Sequence, residues 1–215
     1  MTRDPRPATR LFAVVTPMTI GVALSALSVL SVPSVLSAQA AASAVADPTL
    51  NEVRELTARY QDVKVALADG YVPDPSGMCV AATMEGKAAE EGAMGVHYVR
   101  PDLLGITGPP NPRVNGTSTY TDFRQPAILI YEPQADGSSQ LVAVENLVFI
   151  KSWEAAGHKS PPSFQGHEFN RMQDDPATEL DEAHGFEPHY DLHVWLYREN
   201  PKGMFAQFNP KVKCE

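Results

Sequence analysis

The sequence predicts an α+β domain: one N-terminal amphipathic helix packed on a mostly antiparallel sheet, with curvature toward a barrel-like form left open. Three observations predict it. Leu50, Val53, Leu56, Tyr60, Val63 and Leu67 recur at helical spacing. Two apolar runs, residues 127–131 and 140–150, flank Asp136-Gly137-Ser138-Ser139, the composition of a hairpin turn. Over residues 189–196, Tyr190, Leu192, Val194 and Leu196 alternate with His189, Asp191, His193 and Trp195, the period of a strand.

Residues 1–40 read as a secretory signal peptide. Arg3, Arg6 and Arg10 make a basic start, an apolar run from Leu11 to Leu36 follows, and small residues come next in Ala38-Gln39-Ala40 and Ala42-Ser43-Ala44. That order predicts an A-x-A cleavage site after Ala40 or as late as residue 46. A retained membrane anchor is the alternative, because the run is long enough to span a bilayer. Residues 41–215 then suit a single exported domain, secreted or periplasmic, with no membrane contact after cleavage.

The formal charge of the chain is −9. Arg3, Arg6 and Arg10 against Asp4 contribute +2, so residues 11–215 carry −11. An acidic domain without a basic patch argues against nucleic acid and anionic membrane as partners.

The helix over residues 48–69 opens on Asp47-Pro48, an N-cap followed by a first-turn proline, and closes at Gly70. Residues 71–94 are a loop, with a short helix possible over 87–92. Residues 94–99 make a strand carrying His97. Residues 100–125 hold Gly105, Gly108, Pro109, Pro110, Pro112 and Gly116 and read as loop. In the hairpin, Glu145 sits among Val144, Leu147, Val148, Phe149 and Ile150, apolar on both faces. A carboxylate buried there needs a lysine or arginine, a metal, or a proton. Residues 151–187 are long and irregular, contain His158, His167 and His184, and suit the rim of a site. Asn200-Pro201-Lys202-Gly203 is a turn leading to a last short strand over 204–208, which closes a hairpin with 189–196.

The chain has two cysteines, Cys79 and Cys214. In an oxidising compartment a distant pair reads as a disulfide tying down the C-terminal tail. Two free thiols, one of them a metal ligand, are the alternative.

His189, Asp191 and His193 share one strand face. Metals take imidazole and carboxylate together, and ligands at i and i+2 stand roughly 6.6 Å apart along a strand. His189 and His193 are about 13 Å apart on a regular strand and reach one ion only if it bulges or bends. His97 and Glu145 could complete a three- or four-ligand N/O set suited to Zn, Cu, Mn or Fe. A metal-free reading makes His189 or His193 a general base with Asp191 fixing its tautomer. A third reading leaves all of them as hydrogen-bonded structural groups.

Gly95-Val96-His97-Tyr98, Val142-Ala143-Val144-Glu145, His189-Tyr190-Asp191-Leu192-His193-Val194-Trp195 and Asn200-Pro201-Lys202-Gly203-Met204-Phe205 form a set that resembles a family of uncharacterised secreted bacterial proteins. The resemblance runs to the ending Asn209-Pro210-Lys211-Val212-Lys213-Cys214 and implies a single exported domain, with no activity or cofactor attached. A cupin has a comparable inventory of three histidines and a glutamate, but the cupin His-x-His spacing is missing here. The expectation is therefore an exported protein with a divalent-metal or small-molecule site built from His97, Glu145, His189, Asp191 and His193. A non-catalytic envelope or interaction domain with structural histidines is the competing one.

Overall fold

The computed structural model describes residues 46–214. The signal peptide expected over residues 1–40 lies outside them. No helix of the described residues is long and apolar enough to cross a membrane.

The expected single helix is three pieces: α1 (Leu50–Thr57), a 3-10 turn (Ala58–Gln61) and α2 (Val63–Ala68). Asp62 causes the break. Its backbone leaves helical geometry at φ −91° and ψ 108°, and its carboxylate accepts the Lys64 N–H at 2.9 Å, capping α2. Aspartate competes with helical hydrogen bonding in this way and favours caps. The cap of α1 is Thr49, which accepts the Glu52 N–H, whereas Asp47 accepts from the Gln165 backbone. The break also shifts the buried stripe. Val53, Tyr60 and Ala66 face the core, while Leu56 and Leu67 are exposed.

The main sheet is antiparallel throughout. Its strands are β1 (Val72–Pro73), β2 (Cys79–Ala81), β3 (Ala93–Val99), β4 (Ile128–Pro133), β5 (Ser139–Phe149), β8 (Asn170–Met172) and β9 (His189–Val194). The order is β1-β3-β4-β5-β9-β8, with β2 also paired to β3. Among the described residues the sheet stays open, ending on short strands rather than closing into a barrel. The β4–β5 hairpin turns at residues 134–138, where Gly137 takes a φ of +81° and Asp136 accepts the Ser138 N–H. One bulge between Ile130 and Tyr131 shifts the pairing register against β5.

Three loop expectations and one strand expectation need correction. Residues 100–125 open on a short helix, α3 (Pro101–Leu104), with proline in its first turn. Residues 71–94 contain β1, β2 and two 3-10 turns, Ala82–Glu85 and Ala89–Glu91. Residues 151–187 are not wholly irregular: α4 (Ile150–Ala155) starts in front of them, β6 (Ser163–Phe164) and β7 (His167–Glu168) form a small hairpin, and β8 joins the sheet beside β9. Residues 204–208 form no strand. Trp195 N–H donates to the Met204 carbonyl, its indole donates to the Ala206 carbonyl at 2.6 Å, and the segment otherwise turns. A long-range competitor, β8, therefore takes the edge of β9 that a local hairpin would have used.

The two faces of the sheet bury different things. Leu129, Tyr131, Val144, Val148, Leu192 and Val194 pack with Val53, Tyr60 and Ala66 of the helical segment. The opposite face carries Ile128, Ile130, Ala143 and Leu147 toward Leu104, Val114 and Phe186 of the long loops. The candidate site lies on this second face.

Candidate metal centre

The ladder explains how the site forms. Glu145 of β5 is directly opposite His193 of β9. Ile128 of β4 is opposite Glu145, and Val99 of β3 is opposite Ile128. His97, two residues from Val99, therefore projects from the same face. It reaches across β4, a span of two strand spacings or roughly 9.5 Å, which the imidazole and the glutamate side chain bridge together.

His97 Nε2 lies 3.3 Å and His193 Nε2 lies 3.5 Å from the same oxygen, Glu145 Oε2. The donor atoms of the three residues all fall within 4.8 Å of one another. Around a tetrahedral ion with bonds of roughly 2.0–2.1 Å, neighbouring donors stand about 3.3 Å apart. The rings of His97 and His193 are nearly perpendicular, at 81°.

Burial sets the charges. Glu145 is 2% exposed and His193 is fully buried. Burial, with smaller contributions from His97 and His184, drives the His193 imidazole down to about 4 against the pull of Glu145, so this ring is neutral. Burial pushes the Glu145 carboxyl up, but the imidazoles facing it outweigh burial and hold it below the usual range, the charge coming from His97 because His193 is neutral. For His97 burial pushes down and Glu145 overcomes it, leaving the imidazole raised. Among the described residues no lysine or arginine pairs with Glu145; the basic groups beside it are the imidazoles of His97 and His193. Glu145 Oε2 and both ring nitrogens of His193 are buried without a hydrogen bond. Polar atoms so placed are uncommon and point to an ion or water that completes them.

The other two expected residues sit nearby without joining the three. His189 and Asp191 line the same cavity as His97 and Glu145. β9 pairs with β5 residue for residue from Val194 to His189, with no bulge. The bend that would bring His189 and His193 to one ion is absent. His189 Nδ1 donates to the Glu187 carbonyl at 2.9 Å, and burial lowers this imidazole to about 4. Asp191 is pushed well up by burial and then by Glu145. Its hydrogen-bond partner is Asn170, at 3.5 Å, rather than a histidine, so the pairing required by the acid–base reading is not formed.

The cavity leaves about 20 Å³ for the centres of water molecules, room for roughly one or two waters. The rest of its wall combines apolar sheet residues, among them Met94 and Leu147, with loop residues that include Asp74 and His184. His184 belongs to the expected rim. His158 and His167 do not reach the cavity; they stack on Trp153 and Phe205. Asp74 and Glu85 escaped sequence reasoning because the turn carrying one and the short 3-10 segment carrying the other have no periodicity.

Cys79 and Cys214 form a disulfide with a Cα–Cα distance of 5.5 Å. The bond fits an oxidising compartment. The fold is α+β with a buried His-Glu-His group able to hold a metal ion. In comparisons with protein-family models, curated proteins and solved structures, nothing matches this chain.

Proposed function

We propose that this chain is an exported metal-binding protein whose divalent ion is held by His97, Glu145 and His193. One observation carries the reading: Glu145 Oε2 and the His193 nitrogens are buried and unpartnered at separations that suit ligands of a single ion. Two imidazoles and a carboxylate are a borderline donor set for Zn, Fe, Mn or Cu. Three protein ligands leave further coordination positions facing the small cavity, the pattern of reactive rather than purely structural sites. His189 and Asp191 wall that cavity and contact what enters it. With room for one or two waters, the small-molecule ligand is itself water-sized unless a loop moves. The basic, apolar and alanine-rich start of the chain supports export, as does the disulfide.

The competing reading is a non-catalytic envelope or interaction domain. The His97–Glu145 approach at 3.3 Å favours it, because a proton on His97 can offset the buried carboxylate without a metal.

Elemental analysis of untagged protein from the periplasm, beside His193→Ala, decides between them. Near-stoichiometric metal that disappears in the variant supports the centre. No metal in either protein, even after incubation with Zn, Cu, Mn and Fe, leaves the interaction domain.

A further inference from the structure

Outside the three ligands, one buried ionisable pair has no role in the site so far. Glu85, whose side chain is 1% exposed, lies 2.7 Å from His184 Nε2 through its Oε1. The contact is close enough for an ion pair but out of line for a hydrogen bond, and both His184 ring nitrogens remain without one. His184 is 9% exposed and lines the cavity that His97 and Glu145 line. Its imidazole therefore stands between the cavity and Glu85. The Lys87 ammonium contacts the other oxygen, Oε2, the Lys87 side chain is 40% exposed, and Gln207 Nε2 donates to both Glu85 oxygens at 3.2 Å. Cavity, imidazole, carboxylate and half-exposed ammonium are thus linked by successive contacts.

The loop carrying His184 is held in place. His184 has a φ of +53°, an uncommon backbone state for a residue other than glycine. Such conformations persist where the surroundings over-determine them, and they concentrate at functional sites. Arg113 supplies the clamp. It pairs with Asp174 and Asp181 and donates to the Phe186 carbonyl at 2.8 Å. The Asp181 carboxylate in turn accepts the Gly185 N–H.

We propose that Glu85 and His184 form an outer cation subsite through which a divalent metal ion passes to His97, Glu145 and His193. The inference rests on the metal-binding reading of those three residues. A carboxylate and an imidazole are both first-row metal donors. The Lys87 ammonium occupies the subsite from solvent as a displaceable cation, because an exposed lysine exchanges its partners at little cost. Negative groups at the neck of a narrow site raise the local cation concentration and the rate of entry.

A group on the path changes uptake and release together, whereas a ligand of the resident ion changes release and affinity. The test is stopped-flow uptake of Zn²⁺ by apo-protein and its release to a chromophoric chelator, for wild type, Glu85→Gln and Lys87→Ala. Glu85→Gln should slow uptake about tenfold and slow release by the same factor. Lys87→Ala, which removes the competing ammonium, should quicken both. Unchanged uptake in both variants overturns the subsite. So does faster release alone in Glu85→Gln, which would make Glu85 a ligand of the resident ion. Wild-type protein that takes up no zinc overturns this inference and the metal centre together. Wild type that loads at the same rate as both variants overturns only the subsite.

Discussion

Glu145 and His193 stand directly opposite one another in the β5–β9 ladder, and Oε2 of one lies 3.5 Å from Nε2 of the other. Facing positions of an antiparallel pair are the closest two strands offer, so the contact is fixed by main-chain register. His97 arrives from two strands away, and Glu145 raises its imidazole, which makes it the group able to offset the buried carboxylate.

In metal-free protein, His97→Ala leaves the Glu145 carboxylate buried without that charge, and should cost about 3 kcal/mol. Adding Glu145→Gln should restore part of the loss, since the buried charge is then gone. Urea unfolding in the presence of a chelator measures both. A single variant as stable as wild type would show that Glu145 does not depend on the imidazole.

Trp195 reports on the centre. Its ring stacks near His193, with centroids 6.0 Å apart and an interplanar angle of 14°. In Trp153→Phe protein the only indole left is Trp195. One equivalent of paramagnetic Cu²⁺ should quench most of its emission, and Zn²⁺ should not. Equal emission with and without Cu²⁺ would place the copper elsewhere.

Glu85 should shape the acid limb of stability. Burial pushes its carboxyl up, but His184 and Lys87 prevail and hold it below its ordinary value. The unfolded chain, with a value of about 4.3, therefore binds more protons in the acid range. The stabilisation is present above that value and is lost as pH falls through the lower folded one. Unfolding free energies measured from neutral pH downward should drop less steeply for Glu85→Gln than for wild type. Parallel curves would refute the assignment.

The Cys79–Cys214 bridge closes a loop with a sequence separation of 135. Its removal by Cys79→Ser with Cys214→Ser should cost about 4–5 kcal/mol in the chain-entropy account. A thiol assay on unreduced wild type should find no free cysteine, and two titratable thiols would contradict the bond.

Gly92 marks where the C-terminal segment crosses β3. Its φ is +84°, and a Cβ there would come within 2.1 Å of the Asn209 carbonyl oxygen. Asn209 pairs with Ala93 at that point. Gly92→Ala combines a left-handed backbone with a clash against main chain, and should cost roughly 2–4 kcal/mol. Thermal unfolding checks it; an unchanged midpoint would mean that the tail does not pack on β3.

Much of the local structure was legible in the residues. Alternation identified β9 and put His193 on a face of candidate ligands, two apolar runs around Asp136-Gly137-Ser138-Ser139 identified the β4–β5 hairpin and singled out the embedded Glu145, and a short apolar run identified β3 with His97. Two cysteines in a chain read as exported were enough to expect the bridge. Less was legible where a segment lacks a period. β1, β2 and β8 have two or three residues each, too few to show alternation. The helix break at Asp62 was hidden because an aspartate in a helical pattern reads equally as a solvated face or as a cap.

By itself the sequence determined which residues share a face within the longer strands it could identify, because successive side chains alternate by geometry. It could not determine which strands become neighbours or in what register, because those choices are made by chain segments far apart. The tertiary structure decided that β9 lies beside β5 with Glu145 against His193, and that His97 reaches them across β4. It also decided that an unbulged β9 keeps His189 and Asp191 out of that group of three. The same long-range packing carried Glu85 and His184, which lie 99 positions apart in the chain, into contact at the edge of the cavity.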